Sequence, residues 1–288
     1  MSGATVTRFA PSPTGRLHLG HGFSAIRAQD FARGAGGRFL LRFEDIDAGR
    51  VREEYYAGIE EDLAWLGLDW DGEPMRQSER FDAYRAALET LKTRGLVYPC
   101  FCTRKEIAAE IAASASAPHG VDGPFYPGTC RGIDRRDAER RLAEEEFAWR
   151  LDMEKAAALA GPLFWEDSAL GRIAARPELH GDVVLTRKDA PASYNLAVTV
   201  DDAFQGITDI VRGNDLIAST DVHRLLQHLL GLPVPRYHHH VLITDEEGKR
   251  LSKRDDARSL ATLRAAGWDG AEVAAALRAD VPNISPFT

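Results

Sequence analysis

What is scarce in this chain narrows it first. No apolar run approaches the roughly 20 residues that a helix needs to cross a bilayer, and the amino terminus lacks the charged-then-apolar segment of a secretory signal. The reading is a cytoplasmic protein with no membrane contact. Positive charge is in deficit, with 36 Lys and Arg against 44 Asp and Glu and a net charge of −8. That argues against a protein that coats nucleic acid by bulk attraction, though not against a local basic track. A lysine-bearing phosphate loop is missing, so any nucleotide site is built otherwise. Cysteine is down to three residues, Cys100, Cys102 and Cys130, all between Tyr98 and Arg131. Without a secretory signal, such clustering points to metal before disulfide, because reduced thiolates are good zinc ligands.

What remains is ordinary in bulk. A chain of 288 residues, 44% hydrophobic and 28% charged, can bury a substantial core as one large domain or two joined ones. The informative stretch is Pro11-Ser12-Pro13-Thr14-Gly15-Arg16-Leu17-His18-Leu19-Gly20-His21. It follows an apolar-rich run at 5–10 and opens an amphipathic run at 19–32, which predicts strand, proline-stiffened turn and helix start. The first helical N–H groups have no intrahelical partner and the helix dipole is positive there, so a phosphate can sit at that junction. Gly20 allows close approach of backbone to anion. His18 and His21, three apart, can both donate to phosphate oxygens. Far downstream, Gly248-Lys249-Arg250-Leu251-Ser252-Lys253-Arg254 is a glycine-led basic loop suited to closing over polyphosphate.

Residues 5–10, 19–33 and 38–44 read as strand, helix and strand, a right-handed parallel unit that binds ligands at the carboxyl ends of its strands. Arg8 and Glu44 fall at or near those ends. Helical runs ending at Gly67 and Gly95 are packing elements. Residues 134–146 are charged and helical. Arg131, Arg135, Arg136, Arg140 and Arg141 there read equally as a basic track or as a solvated face interleaved with Asp134, Asp137 and Glu139. Residues 183–187 and 196–200 resume strand patterning, with Tyr194 just before the second. Arg212 closes the apolar run 207–211 and offers a planar fork suited to a carboxylate. His238, His239 and His240 point in different directions in either regular structure and are left unassigned. Cys-x-Cys sets two sulfurs on one side of a short turn, and Cys130 closes the following loop; the alternative to metal is three buried free thiols. For a fourth ligand, imidazole makes His119 the first choice.

Together, residues 11–21 and the Ser252-Lys253 core of the basic loop resemble the two signature motifs of class I aminoacyl-tRNA synthetases. Arg8-Phe9-Ala10-Pro11-Ser12, Arg42-Phe43-Glu44-Asp45-Ile46-Asp47, Tyr194-Asn195-Leu196-Ala197 and Val211-Arg212-Gly213-Asn214-Asp215 resemble the glutamate-specific branch, in the same order over about residues 5–256. Only 34 residues follow Arg254, fewer than the about 50 of a separate folded domain, so no anticodon-binding domain is expected. The chain therefore resembles the truncated paralogues of glutamyl-tRNA synthetase, the glutamyl-Q tRNA(Asp) synthetases.

The resemblance implies an α/β, Rossmann-like parallel-sheet nucleotide-binding fold with an inserted zinc-containing α+β subdomain. The expected division is 1–95 and 182–245 for the halves of the catalytic domain, 96–181 for the insert, and 246–288 for the basic loop and a short helical end. It also implies that Arg8, Phe9, Ala10, Pro11, Ser12, Glu44, Tyr194 and Arg212 hold L-glutamate, with Glu44 toward the ammonium and Arg212 toward the side-chain carboxylate. His18, Gly20, His21 and Lys253 would hold ATP, with Mg2+, and His18, His21 and Lys253 would serve catalysis. For zinc (Zn2+), the pattern Tyr126-Pro127-Gly128-Thr129-Cys130 replaces His119 by Tyr126 beside Cys100, Cys102 and Cys130. The implied reaction activates glutamate with ATP and passes it to the queuosine base in the anticodon loop of tRNA(Asp), with no obligate protein partner. The rival readings are a reduced glutamyl-tRNA synthetase charging the 3′ end, and a non-catalytic RNA-binding or regulatory paralogue.

Overall fold

The computed structural model describes residues 4–113, 119–120, 123–124, 126–243 and 259–279. The fully buried strand Val6–Phe9 pairs in parallel with Arg38–Phe43, with Val6 opposite Arg38 and Phe9 opposite Leu41. The helix Leu19–Gly34 makes the crossover between them, and the short strand Met75–Arg76 extends the ladder. A second parallel ladder runs from Asp209–Gly213 through Arg236–His240 to Phe164–Asp167, with Gly171–Ala174 antiparallel at its edge. The ladders join at Thr208, whose N–H donates to Val6 O at 3.0 Å and whose Oγ1 accepts from Val6 N–H at 2.8 Å. Val6–Phe9 and Asp209–Gly213 are buried along their whole length, polar residues included.

A separate antiparallel sheet of Val97–Cys100, Ala148–Leu151 and Val184–Thr186 carries the cysteine turn at the end of its first strand. The pairing interleaves the two halves. Phe164–Asp167 and Gly171–Ala174, inside the expected insert, join the catalytic sheet, and Val184–Thr186, beyond it, joins the inserted one.

One expected strand is a helix. Residues 196–200 lie within the helix Tyr194–Phe204, so Tyr194 is its first residue rather than a loop position. Ser193 caps it by accepting the Leu196 N–H at 3.4 Å, and Thr199 Oγ1 returns its proton to Asn195 O at 2.8 Å. Leu196 and Ala197 pack among Tyr84, Leu88, Leu225 and Leu226. A helix covered on most sides loses the 3.6-residue apolar rhythm, and its β-branched residues then imitate a strand.

The helices Leu260–Ala265 and Gly270–Arg278 pack Leu260, Leu263, Val273 and Leu277 onto Leu19, Phe23 and Ile26. Their entry is pinned where Leu260 N–H donates to Leu17 O at 2.8 Å and Ser259 bridges His18. No helix among the described residues is long and apolar enough to cross a membrane.

Candidate active site

The site is anchored at the first turn of Leu19–Gly34. His18 is its N-cap and accepts the Gly20 N–H on Nδ1 at 3.1 Å, while His21 Nδ1 accepts the His18 N–H at 3.2 Å. Two imidazoles thus form a reciprocal capping box, stacked with centroids 3.7 Å apart. Because each Nδ1 is an acceptor, the proton of each neutral ring sits on Nε2. Gly20 also makes room for the cap itself: a Cβ there would lie 3.0 Å from His18 Cε1.

At the carboxyl ends of Val6–Phe9, Arg38–Phe43 and Asp209–Gly213 a cavity of about 370 Å³ opens beside this turn. Arg8, Phe9, Ala10, His18, Gly20, His21, Glu44, Tyr194 and Arg212 all line it, which brings together residues up to two hundred positions apart. Pro11 and Ser12 do not line it. Pro11 O instead accepts the Glu44 N–H at 3.0 Å and fixes the height of that carboxyl, and Ser12 O accepts from Thr14 N–H. Lys253 and the basic loop lie outside the described residues.

A charged lattice floors the cavity. Arg8 Nε and Nη2 donate to Asp202 at 3.0 and 3.3 Å, Arg42 Nη1 donates to Asp202 Oδ1 at 2.8 Å, and Arg42 Nη2 reaches Glu44 Oε1 at 3.4 Å. Burial opposes ionisation of Asp202, but Arg8 and Arg42 outweigh it and hold the carboxyl at about 2. Glu44 shows the opposite balance: burial raises it, and Arg42 and Arg8 only partly offset that. Its carboxylate is therefore short of positive charge, a deficit that an ammonium group in the cavity would relieve. Burial likewise raises the Tyr194 phenol and keeps it a neutral donor.

Sequence reading missed several supports. Asp202 lies just beyond the run 196–200 expected as a strand, in the helix Tyr194–Phe204; the doubled acid Asp201-Asp202 next to that apolar stretch was the available signal. The histidine tract does diverge, but not idly: His238 Nε2 meets Asp209 Oδ1 and His239 Nδ1 meets Asp167 Oδ2, each at 2.8 Å, while His240 lines the cavity. Arg135, Arg140 and Arg141 of the charged helix Arg135–Glu144 are matched to Glu139, Asp137, Glu144 and Glu145 at helical spacing, as the solvated-face alternative has it.

Away from the cavity, Cys100, Cys102 and Cys130 present sulfurs within 4.8 Å of one another. Cys102 Sγ stands 3.4 Å from Cys130 Sγ and 3.5 Å from the Tyr126 hydroxyl, which accepts the Cys130 N–H at 2.8 Å. A tetrahedral zinc with bonds near 2.3 Å needs sulfurs roughly 3.8 Å apart, so a small expansion of this cluster fits the ion. Burial pushes the Cys102 thiol up to about 12, whereas at Cys130 the Tyr126 hydroxyl and nearby backbone N–H groups outweigh burial and favour thiolate. The trio can hold a metal ion. No side-chain placement is described for His119, whose backbone lies in the strand His119–Gly120.

With this geometry in hand, the family described as "tRNA synthetases class I (E and Q), catalytic domain" matches residues 4–277. The chain belongs to this family. As a class I synthetase-family member it is a ligase, with the family's mixed α/β architecture around a parallel sheet. Among curated relatives, a glutamyl-Q tRNA(Asp) synthetase of Rhodobacter capsulatus is 52% identical, covering 93% of this chain and 98% of that one. One from Deinococcus radiodurans is 45% identical over 96% and 90%. A glutamate–tRNA ligase of Aquifex aeolicus is 42% identical, but this class I chain spans only 54% of it. The crystal structure of a glutamate tRNA ligase from Elizabethkingia meningosepticum in complex with its amino acid superposes with a TM-score of 0.74 at 30% identity, over 88% of this chain and 52% of that chain.

Proposed function

We propose that this chain activates L-glutamate with ATP and transfers the glutamyl group to the queuosine base in the anticodon loop of tRNA(Asp). The observation that carries the reading is the single cavity in which the His18–His21 helix start meets Arg8, Glu44, Tyr194 and Arg212. The names of the relatives that match along most of their own length support the acceptor.

In the first step the glutamate α-carboxylate attacks the α-phosphorus of ATP, the bond to the bridging oxygen breaks, and pyrophosphate leaves with the electron pair. Both reactants are anions, so the protein's task is to position them and neutralise charge as it develops. The Nε2–H groups of His18 and His21 donate to phosphate oxygens at the positive end of the helix. Lys253 follows the departing pyrophosphate, and Mg2+ bound with the nucleotide supplies further neutralisation. Glu44 takes the substrate ammonium, Arg212 takes its side-chain carboxylate, and Tyr194 completes the pocket. In the second step a queuosine hydroxyl attacks the acyl carbon and AMP leaves. Zinc held by Cys100, Cys102, Cys130 and Tyr126 has a structural role, fixing the cysteine turn of the inserted sheet. A tRNA substrate places the reaction in the cytoplasm.

Labelled glutamate offered with two tRNA pools, one bearing queuosine and one lacking it, each with a blocked 3′ end, tests the acceptor. Label is expected only in the queuosine pool. Label in neither, with adenylate still forming, would make the acceptor wrong; stable label on unblocked 3′ ends would favour a reduced glutamyl-tRNA synthetase. Complete absence of glutamate-dependent ATP–pyrophosphate exchange would favour a non-catalytic paralogue. Metal analysis is expected to find about one zinc per chain, and well under one would remove the zinc assignment.

A further inference from the structure

Arg8, Arg42 and Arg212 are the buried arginines among the described residues, and their surroundings differ in kind. Arg8 and Arg42 grip the carboxylate of Asp202. Arg212 is surrounded by neutral acceptors. Its Nε donates to His239 Nε2 at 3.2 Å, its Nη2 donates to Thr220 Oγ1 at 2.7 Å and to Leu216 O at 3.2 Å, and its Nη1 stands 3.4 Å from His223 Nδ1.

A guanidinium has five N–H donors and no acceptor, so both imidazole nitrogens facing it must accept. That fixes the two tautomers. His239 carries its proton on Nδ1 and donates it to Asp167 Oδ2 at 2.8 Å; His223 carries its proton on Nε2 and donates it to Asn195 Oδ1 at 3.0 Å. Four of the five guanidinium N–H groups are thereby engaged by the protein, and the fifth belongs to Nη1, on the side chain that lines the cavity. The sequence suggested a two-pronged fork for a carboxylate; the structure leaves one prong.

We infer that His223 and His239 are positioning residues for substrate recognition: they aim the remaining Nη1–H of Arg212 at the cavity and leave its positive charge uncompensated, so that a carboxylate rather than an amide completes the site. Asp167 orients the guanidinium from one imidazole away. A carboxylate in direct contact would orient it equally well, but would also neutralise the charge that distinguishes glutamate from glutamine. The inference rests on the reading of the cavity as the glutamate site.

Two paired substitutions test it in the full chain by glutamate-dependent ATP–pyrophosphate exchange, with thermal melting as a check on folding. His239→Gln keeps an acceptor near the Nε2 position and His239→Leu removes it; His223→Asn keeps one near Nδ1 and His223→Leu removes it. Each Leu variant is expected to raise KM for glutamate by about tenfold or more, the scale of one misdirected charge-assisted hydrogen bond, with KM for ATP unchanged. Each amide variant should recover most of that loss. Equal defects in the Leu and amide members of both pairs, or KM for ATP rising in step with KM for glutamate, would reduce both histidines to packing residues and overturn the inference. Absence of exchange in the unaltered protein would instead overturn the glutamate reading, and this inference with it, before any variant is compared. A fifth variant covers any that fail to fold. His223→Asp sets a carboxylate against Nη1 and should raise KM for glutamate while leaving the inhibition constant of added glutamine unchanged; a parallel rise of both would also overturn the proposal.

Discussion

Beneath the cavity, Asp202 joins Arg8 and Arg42 with its side chain 7% exposed; on the helix Arg135–Glu144, Arg140 joins Asp137 and Glu144 with its side chain 57% exposed. The chemical pairs are alike and the consequences are not. Water screens the surface pairs and offers each charge an alternative partner. In the floor of the cavity no such alternative exists, so each group there depends on the others for its ionisation, and burial turns pairing into positioning. Arg212 marks a third case, buried like Arg8 and yet surrounded by uncharged acceptors. The lesson is that counting arginines locates little; what each arginine faces decides whether it holds the fold, holds a substrate or merely keeps a helix in solution.

Removing the buried hub should give the largest effect. Asp202→Ala leaves two guanidinium groups without their shared carboxylate and is expected to cost about 3–5 kcal/mol of stability, with glutamate-dependent exchange falling below detection; chemical denaturation and the exchange assay check both. A stable, active variant would erase the contrast between floor and surface. Acid should produce the next largest change. Burial, and next Arg212, hold His239 at about 4, below its ordinary 6.5. The unfolded chain takes up the proton near 6.5, so the contribution of the neutral ring is complete above that pH and is lost as pH falls toward 4. The loss amounts to up to about 3 kcal/mol. Unfolding midpoints measured from pH 7 to pH 4 should fall more steeply for the unaltered protein than for His239→Gln.

An intermediate case lies at Arg187, 31% exposed and shared between Asp47 and Asp189. Arg187→Ala is expected to cost about 0.5–1 kcal/mol by denaturation, between the two extremes. At the far end, Arg140→Ala should leave the unfolding midpoint unchanged within error. A surface variant as costly as the half-buried one would mean that the helix pairs act as a network rather than singly.

The elements legible beforehand were those whose signals are local. The strand, turn and helix around residues 5–33 declare themselves through an apolar run, two prolines and a cap, and the cysteine turn through residue type alone. Burial on most sides defeated the reading at 196–200, because enclosure blurs periodicity. The supports of the site were illegible for another reason. Asp202 acquires its role only when residues 8 and 42 fold against it, and His223 and His239 only when Arg212 lies between them. Nothing in the spacing of these residues encodes such meetings.

The reciprocal imidazole cap at His18 and His21 has a consequence for how this motif ages in a lineage. The same two residues that line the cavity also complete the first turn of a core helix. A descendant that abandoned the chemistry would still be penalised for discarding them, since folding continues to select for both. Survival of the histidine pair in a distant cousin is therefore a lenient witness to activity. Tyr194, whose side chain borders the cavity without capping any helix, is the stricter one, and its loss would be an earlier sign that a branch had changed its trade.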